Sequence, residues 1–316
     1  MIEIIAEVGV NHQNDIAIAE KLIQAAAISG ATTVKFQCST VEEEVSFKVA
    51  PEHFHELAML VPTTTFLKEC RDLCGKYGMG FLCTPSGPRS LQVVVEQLGA
   101  KRIKVASDNL TNIQFLQLVA RTELPVILST GMGTLSEIDT ALYAMGDWRD
   151  ITLMHCVSAY PAPVEQTNLR AIHALETFER PVGFSDHSRG ILLAPMAVAL
   201  GAVVIEKHIT LDRNMPGPDH AASITPVEFR QMVLDIQVAE WARGSGIKEP
   251  QPCEGTGISR YRKSLVADRP IAAGEVLGDH NVIAKRPGNG VPAAQWFAYK
   301  GMVARRDYEQ DEQIDP

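Results

Sequence analysis

Two histidines, two lysines and a series of hydroxyls carry the chemistry open to this chain. His187 and His208 stand one strand-plus-helix repeat apart, so on neighbouring parallel strands their imidazoles would converge. Neutral imidazole is the commonest side-chain metal ligand near neutral pH, which makes the pair a candidate metal site; a lone histidine at a strand end is otherwise a packed or rim residue. Asp186 and Glu206 stand beside them, either as carboxylates orienting an imidazole or as surface charge. Lys35 and Lys104 are embedded in apolar runs, VKFQ and RIKVAS. A lysine in a buried strand is costly unless paired, so each either serves an anion or closes an internal salt bridge. Ser107, Ser129 and Ser185 are hydroxyl donors suited to phosphate oxygens, although a serine at a strand end, taken singly, is usually a turn residue.

The elements that would position these residues alternate. Short Val/Ile/Leu-rich runs at 3–8, 33–37, 80–84, 102–106, 126–129, 152–157, 182–185 and 202–207 read as strands. Helical patterns lie between them at 16–28, 63–77, 91–98, 113–121, 135–145, 169–175 and 191–200, and an eighth follows at 226–243. The strands lack polar alternation, as parallel strands buried on both faces do. Eight such units in about 245 residues match a (β/α)8 TIM barrel, whose active sites lie at the carboxyl ends of the strands. A doubly wound sheet is the alternative; no GxGxxG follows the first strand. Nearly every strand end is polar: Glu7 with Asn11 and His12, Gln37, Thr84 and Ser86, Ser107, Ser129 and Thr130, then His155 with Ser158 and Tyr160, Ser185 with His187, and Glu206 to His208. The GMGT at 131–134 can offer backbone N–H groups at a helix start, near an anion. No GxSxG, HExxH or Walker A pattern occurs, which removes the usual support for triad hydrolases, zincins and P-loop kinases.

The chain has 316 residues with 38 acids against 29 bases, a formal charge of −9. That charge excludes a general nucleic-acid footprint, and any anionic ligand must be met by a few placed cations. The chain start shows no basic segment before an apolar run, and no apolar stretch reaches about 18 residues, so neither a signal peptide nor a transmembrane helix is expected. Six scattered cysteines favour reduced thiols and a cytoplasmic protein; Cys70 and Cys74 share a helical face and read as core thiols. Residues 244–257 are rich in Gly, Pro, Ser and Glu, a linker composition. The turn-rich remainder reads as a small module, giving domains at 1–245 and 261–316 joined by a linker at 246–260.

The segments IIAEVGVNH, VKFQ, KVAS, LSTGM, HCVSAYP, GFSDH, IEKHIT and GPDHAAS, in this order, resemble the N-acetylneuraminate (sialic acid) synthase family, which includes legionaminate synthases and a spore-coat polysaccharide branch. The tail from RKSLVADRPIAAGEVL through AKRPGNG to ARRD resembles that family's antifreeze-like (SAF) domain. The resemblance implies condensation of phosphoenolpyruvate with a 2-acetamido sugar such as N-acetylmannosamine, giving a nine-carbon 2-keto acid and phosphate. It implies a divalent metal, commonly Mn2+ with Mg2+ or Co2+ as alternatives, held by His187 and His208. Glu7 matches the carboxylate at the reacting centre. Lys35, Thr84, Lys104, Ser107, Ser129 and Ser185 match the phosphoenolpyruvate contacts, and Gln37 and Asp219 the sugar contacts. Arg286 resembles the arginine that reaches the N-acyl group from a partner subunit, in a domain-swapped homodimer. Two rivals stay open: an aldol-type synthase using a phosphorylated sugar, which needs a second phosphate site, and a non-catalytic sugar-binding protein.

Three departures fall on the sugar half. The family's NHNGD turn is Asn11 to Asp15 here, without its glycine, although Asn tolerates positive φ. The family's STPFD is CTPSG at 83–87, without its aspartate. The segment after Gln37 is short; in it Glu42–Glu44 reads as a solvated acidic turn, and His53 and His55 as surface residues.

Overall fold

The computed structural model describes residues 2–146 and 150–316. Two compact units emerge, residues 1–244 and 245–316. The first is built on eight parallel strands: β1 (Glu3–Gly9), β2 (Thr33–Cys38), β3 (Gly80–Pro85), β4 (Ile103–Val105), β5 (Val126–Ser129), β6 (Ile151–Cys156), β7 (Val182–Asp186) and β8 (Val204–His208). Their lateral order is β3-β2-β1-β8-β7-β6-β5-β4, and β4 adjoins β3 to complete the ring. This is the TIM barrel expected from the sequence, each strand lying within two residues of its expected bounds.

The interleaved helices are α1 (Ile16–Ser29), α2 (Val41–Glu44), α3 (Pro51–Ala58), α4 (Thr64–Lys76), α5 (Pro88–Gln92), α6 (Ile113–Ala120), α7 (Leu135–Ala144), α8 (Ala171–Glu176), α9 (Leu193–Ala199) and α10 (Pro226–Arg243). Local chemistry sets their ends. Asp15 accepts from the backbone N–H groups of Ala17 and Ile18 to start α1, and Gly30 at φ 91° closes it. Thr134 with Glu137 and Thr225 with Glu228 form capping boxes that start α7 and α10. Asn14 and Gln13 both take positive φ, 56° and 52°, so the turn before α1 keeps its course without glycine.

Strand alternation divides the barrel into two packed layers. Ile5, Leu82, Ile127, Met154 and Val204 point inward and fill the interior below the site. Val34, Phe36, Val105, Leu128, Phe184 and Ile205 point outward and pack under the helices. Cys70 and Cys74 are buried free thiols in that outer core, as their spacing suggests. Burial pushes Cys70 above its usual range and Cys74 up to about 12, so both stay protonated.

The second unit has its own core of Leu265, Ala267, Ile271, Leu277, Val282, Val291, Tyr308 and Ile314. It contains the antiparallel pair β9 (Ser264–Ala267) and β10 (Val282–Lys285). A short helix, α11 (Gly255–Tyr261), occupies part of the stretch whose composition suggests a linker. Among the described residues no helix is long and apolar enough to cross a membrane.

Candidate active site

The inward residues above the apolar interior line a cavity of about 420 Å³ at the carboxyl ends of the strands. Of the twelve residues to which the family resemblance gives a role, eleven line it: Glu7, Lys35, Gln37, Thr84, Lys104, Ser107, Ser129, Ser185, His187, His208 and Asp219. Arg286 belongs to the second unit, where its guanidinium lies over the Tyr261 ring, 5.2 Å from the centroid.

The floor is organised by Glu206, whose role the sequence left open. Its Oε1 accepts from Lys35 Nζ at 2.8 Å and from Ser185 Oγ at 2.9 Å. Lys104 Nζ lies 3.5 Å from Glu206 Oε2 and donates to Ser129 Oγ at 2.7 Å. Burial alone would raise the Glu206 pKa, but Lys104 and Lys35 outweigh it and hold the carboxyl far below its usual range. Burial likewise works against the charge on Lys35, yet Glu206 and Glu7 keep that lysine above its usual value. Lys104 is shifted down, because burial exceeds the help from Glu206. Both lysines therefore use the salt-bridge alternative. One carboxylate shared by two ammonium groups still leaves a net positive floor.

Glu7 faces this floor from β1. Its Oε1 accepts from Gln37 Nε2 at 3.2 Å, and its Oε2 lies 3.6 Å from Lys35 Nζ with no hydrogen-bond partner. Burial pushes its pKa up to about 7, against the pull of Lys35, so the carboxyl exchanges a proton near neutrality. Beside it β1 bulges between Glu7 and Gly9. Gly9 has φ 53°, and a Cβ there would come within 2.8 Å of Asp219 Oδ2, so only glycine lets Asp219 close over the strand end. Gly131 has the same function on the far side. A Cβ on it would meet Ser158 Oγ at 2.3 Å and Ser107 Oγ at 2.7 Å. Its N–H donates to Ser107 Oγ at 3.1 Å, so this N–H of the GMGT turn serves a protein hydroxyl.

The two imidazoles meet as their spacing suggests, ring centroids 5.7 Å apart. His187 Nδ1 sits 2.8 Å from the Val157 carbonyl, which requires the proton on Nδ1 and leaves Nε2 as an acceptor. Ser185 Oγ lies 3.2 Å from that Nε2, but its single proton is also claimed by Glu206. His208 Nδ1 is buried without a hydrogen-bond partner, 3.6 Å from Asp219 Oδ2. Burial drives both rings toward neutrality, His187 down to about 4 and His208 down to about 3. Neutral, under-satisfied imidazoles facing a polar cavity fit a divalent cation. Among the described residues no group of three or more His, Cys, Asp or Glu side chains is gathered to hold one. These two rings would thus leave the remaining positions to water and substrate.

Other sequence expectations are corrected by burial. Asp186 is neither a surface charge nor an imidazole partner; it is buried and pairs with Lys207. His155 faces outward, bonded to the Thr167 carbonyl at 2.7 Å and stacked on Phe184. The acidic turn is not simply solvated. Glu43 accepts from the backbone of Arg89 and Ser90 and from Ser90 Oγ, so it caps α5 from the neighbouring helix α2. The residue that starts α5 is Gly87, at the position of the family's missing aspartate, and a Cβ there would meet Glu43 at 2.9 Å. Glu44 lines the cavity, its pKa raised by burial. His53 and His55 are exposed on α3, as expected.

Tyr160 is the main residue that sequence reading left without a role. Its ring lies 4.2 Å from His187 and 5.7 Å from His208, so it walls the imidazole side of the cavity. Its position two residues beyond Ser158 on the sixth strand end was the available signal.

The NeuB family profile matches residues 22–248 and the SAF domain profile residues 262–316. An N,N'-diacetyllegionaminic acid synthase of Campylobacter jejuni is 40% identical over 98% of both chains. The N-acetylneuraminate-9-phosphate synthase of Mus musculus is 31% identical over 98% of this chain and 90% of its own. A crystal structure of the N-acetylneuraminic acid synthetase from Leptospira borgpetersenii superposes with a TM-score of 0.77 at 35% identity, covering 81% of this chain and 90% of that one.

Proposed function

This chain belongs to the NeuB family, and from that premise we propose that it condenses phosphoenolpyruvate with an acylamino sugar aldehyde to a nine-carbon 2-keto acid, releasing phosphate. One observation carries the reading: a buried, net positive floor of Lys35, Lys104 and hydroxyls faces two neutral imidazoles across a single cavity. The floor suits the phosphate and carboxylate of the enol donor, and the imidazoles suit a divalent metal, Mn2+ in our reading.

The residues divide the work. Lys35, Lys104, Ser129 and Ser185 hold and neutralise the donor, preorganised charge of the kind that usually contributes most to catalysis. Thr84, whose buried Oγ1 has no partner, and Ser107 complete that half. C3 of the donor forms the new bond to the aldehyde carbon as the enol double bond is spent, water adds at C2, and the C2 hydroxyl collapses to the ketone as phosphate leaves with cleavage of its C–O bond; of the water's two protons one ends on the former aldehyde oxygen, now a hydroxyl, and the other on phosphate. Glu7, titrating near neutrality, takes the proton from that water. His187 and His208 would hold the metal, which supplies Lewis-acid polarisation of the aldehyde oxygen when bound. Gln37 and Asp219 orient the sugar.

We assign the acceptor to the 2,4-diacetamido-trideoxyhexose class rather than to N-acetylmannosamine. The support is 40% identity, over nearly the whole chain, to a synthase named for N,N'-diacetyllegionaminic acid. We further propose a homodimer in which Arg286 of one copy contacts the acyl group bound in the other, supported by the SAF match. The test is product mass spectrometry with phosphoenolpyruvate, Mn2+ and a panel of acylamino hexoses. Phosphate release should require all three components, and the diacetamido sugar should give the highest kcat/KM. Preference for N-acetylmannosamine would overturn the acceptor assignment, and release without any sugar the condensation itself.

A further inference from the structure

The inner faces of β7 and β8 carry site residues, and directly behind them the outer faces carry a second polar assembly that the reaction does not use. Ser185 and Glu206 are cross-strand partners pointing inward, whereas Asp186 and Lys207 are the next pair in the same register and point outward. Below them the outward row is apolar, Val182 and Phe184 on β7 and Ile205 on β8. A buried charge pair interrupting an apolar layer needs a reason, because apolar side chains of similar size often serve stability as well or better.

Its hydrogen bonds supply the reason. Lys207 Nζ donates to Asp186 Oδ2 at 2.8 Å, with both side chains wholly shielded from water, and to the Ser188 carbonyl at 2.6 Å. Asp186 Oδ1 accepts from the Ser188 N–H at 2.8 Å and from Ser188 Oγ at 2.6 Å. Both the N–H and the C=O of Ser188 are thus tied to the pair, closing a turn of residues 186–188 with His187 at its middle. The carbonyl of His187 accepts from the Ala162 N–H at 2.9 Å, and its ring is held by Val157. Lys207 in turn immediately precedes His208. Apolar packing could hold the two strands together, but it lacks the direction needed to aim two rings at one point; charge-assisted hydrogen bonds are directional.

We propose that Asp186, Lys207 and Ser188 are positioning residues that lock the two strand ends so that His187 and His208 present their rings together to a divalent cation. This rests on the metal reading of the two histidines. It also predicts a split between the two halves of the site, because the donor side of the same strands has its own clip, Ser185 to Glu206.

The experiment compares wild type, the double variant Asp186→Asn/Lys207→Met, and Ser188→Ala. Mn2+ affinity is read by the paramagnetic resonance signal of free Mn2+, phosphoenolpyruvate affinity by calorimetry without metal, and folding by thermal melting. In the double variant Mn2+ affinity should fall about ten-fold, the low end of what losing a direct imidazole partner costs, because the pair acts through the Ser188 turn, with phosphoenolpyruvate affinity within about three-fold of wild type. Ser188→Ala should show the same split, reduced to several-fold. A folded double variant that binds Mn2+ like wild type, or that loses both ligands equally, overturns the proposal. If the double variant does not fold, unchanged Mn2+ affinity in Ser188→Ala overturns it and a selective loss supports it. Wild type that binds phosphoenolpyruvate but not Mn2+ overturns the metal reading and this proposal together, which separates that outcome from failure of the lock alone.

Discussion

The floor and the rim of the cavity are built on opposite principles. On the floor, Lys35, Lys104 and Glu206 are each at most 5% exposed and bonded to one another or to serines. At the rim, Tyr160 is 52% and Met132 73% exposed, and the ionisable groups are the carboxylates Glu44, Asp108 and Asp219. Among the described residues that line the cavity, the floor lysines are its lysines and arginines. A positive floor under an acidic rim makes two electrostatic zones in one cavity: the floor suits a small anion, and the rim disfavours one.

This contrast can be broken most severely at the floor. Lys104→Met removes one of two cations and leaves Glu206 under-compensated; kcat/KM for phosphoenolpyruvate should fall by about 10³ or more, measured by steady-state phosphate release. Next comes Glu7, between the two zones. Wild-type kcat/KM should rise through about pH 7 as Glu7 ionises; Glu7→Gln should lower turnover by about 10²–10⁴ and remove that rising limb. The same variant should be more stable. Because folding raises the Glu7 pKa from 4.5 to about 7, the protonated form is the one the fold accepts. The ionisation penalty is absent below about pH 4, accumulates between about pH 4.5 and 7, and is fully present above that. Melting curves at pH 5 and pH 8 should therefore show the larger stabilisation at pH 8.

Rim changes should act selectively. Asp219→Asn should raise KM for the sugar about ten-fold with little effect on that for phosphoenolpyruvate; equal effects on both would erase the floor–rim distinction. The smallest effect concerns support of the rim. Glu43→Ala should cost about 1 kcal/mol in denaturant titration, a typical cap loss. Adding Gly87→Asp should recover it, since the clash at residue 87 is with Glu43 itself.

How much of this was legible in the chain follows the same division. The barrel was readable because parallel strands buried on both faces leave continuous apolar runs, and their polar ends mark one rim of the ring. The floor was readable as residue types, since lysines inside VKFQ and RIKVAS demand partners. The partner itself was not, because Glu206 lies about 170 residues from Lys35 in the chain and meets it only across a closed ring. Glu43 hides for the same reason: an acidic triplet reads as solvated until the fold brings the start of α5 against α2. Asp186 and Lys207 sit in SDH and EKH, where two-residue alternation already separates them from the histidines, but only the β7–β8 register shows that they face each other.

The amino-acid sequence by itself determined the repeat, the strand ends and the kinds of side chain placed there, because periodicity and burial cost act locally. The tertiary structure alone decided which charges neutralise one another, which carboxyl titrates near pH 7 and which imidazole nitrogen is left free. Those properties depend on desolvation and on distances of a few ångströms between strands that are far apart in the chain, and closure of the barrel sets both.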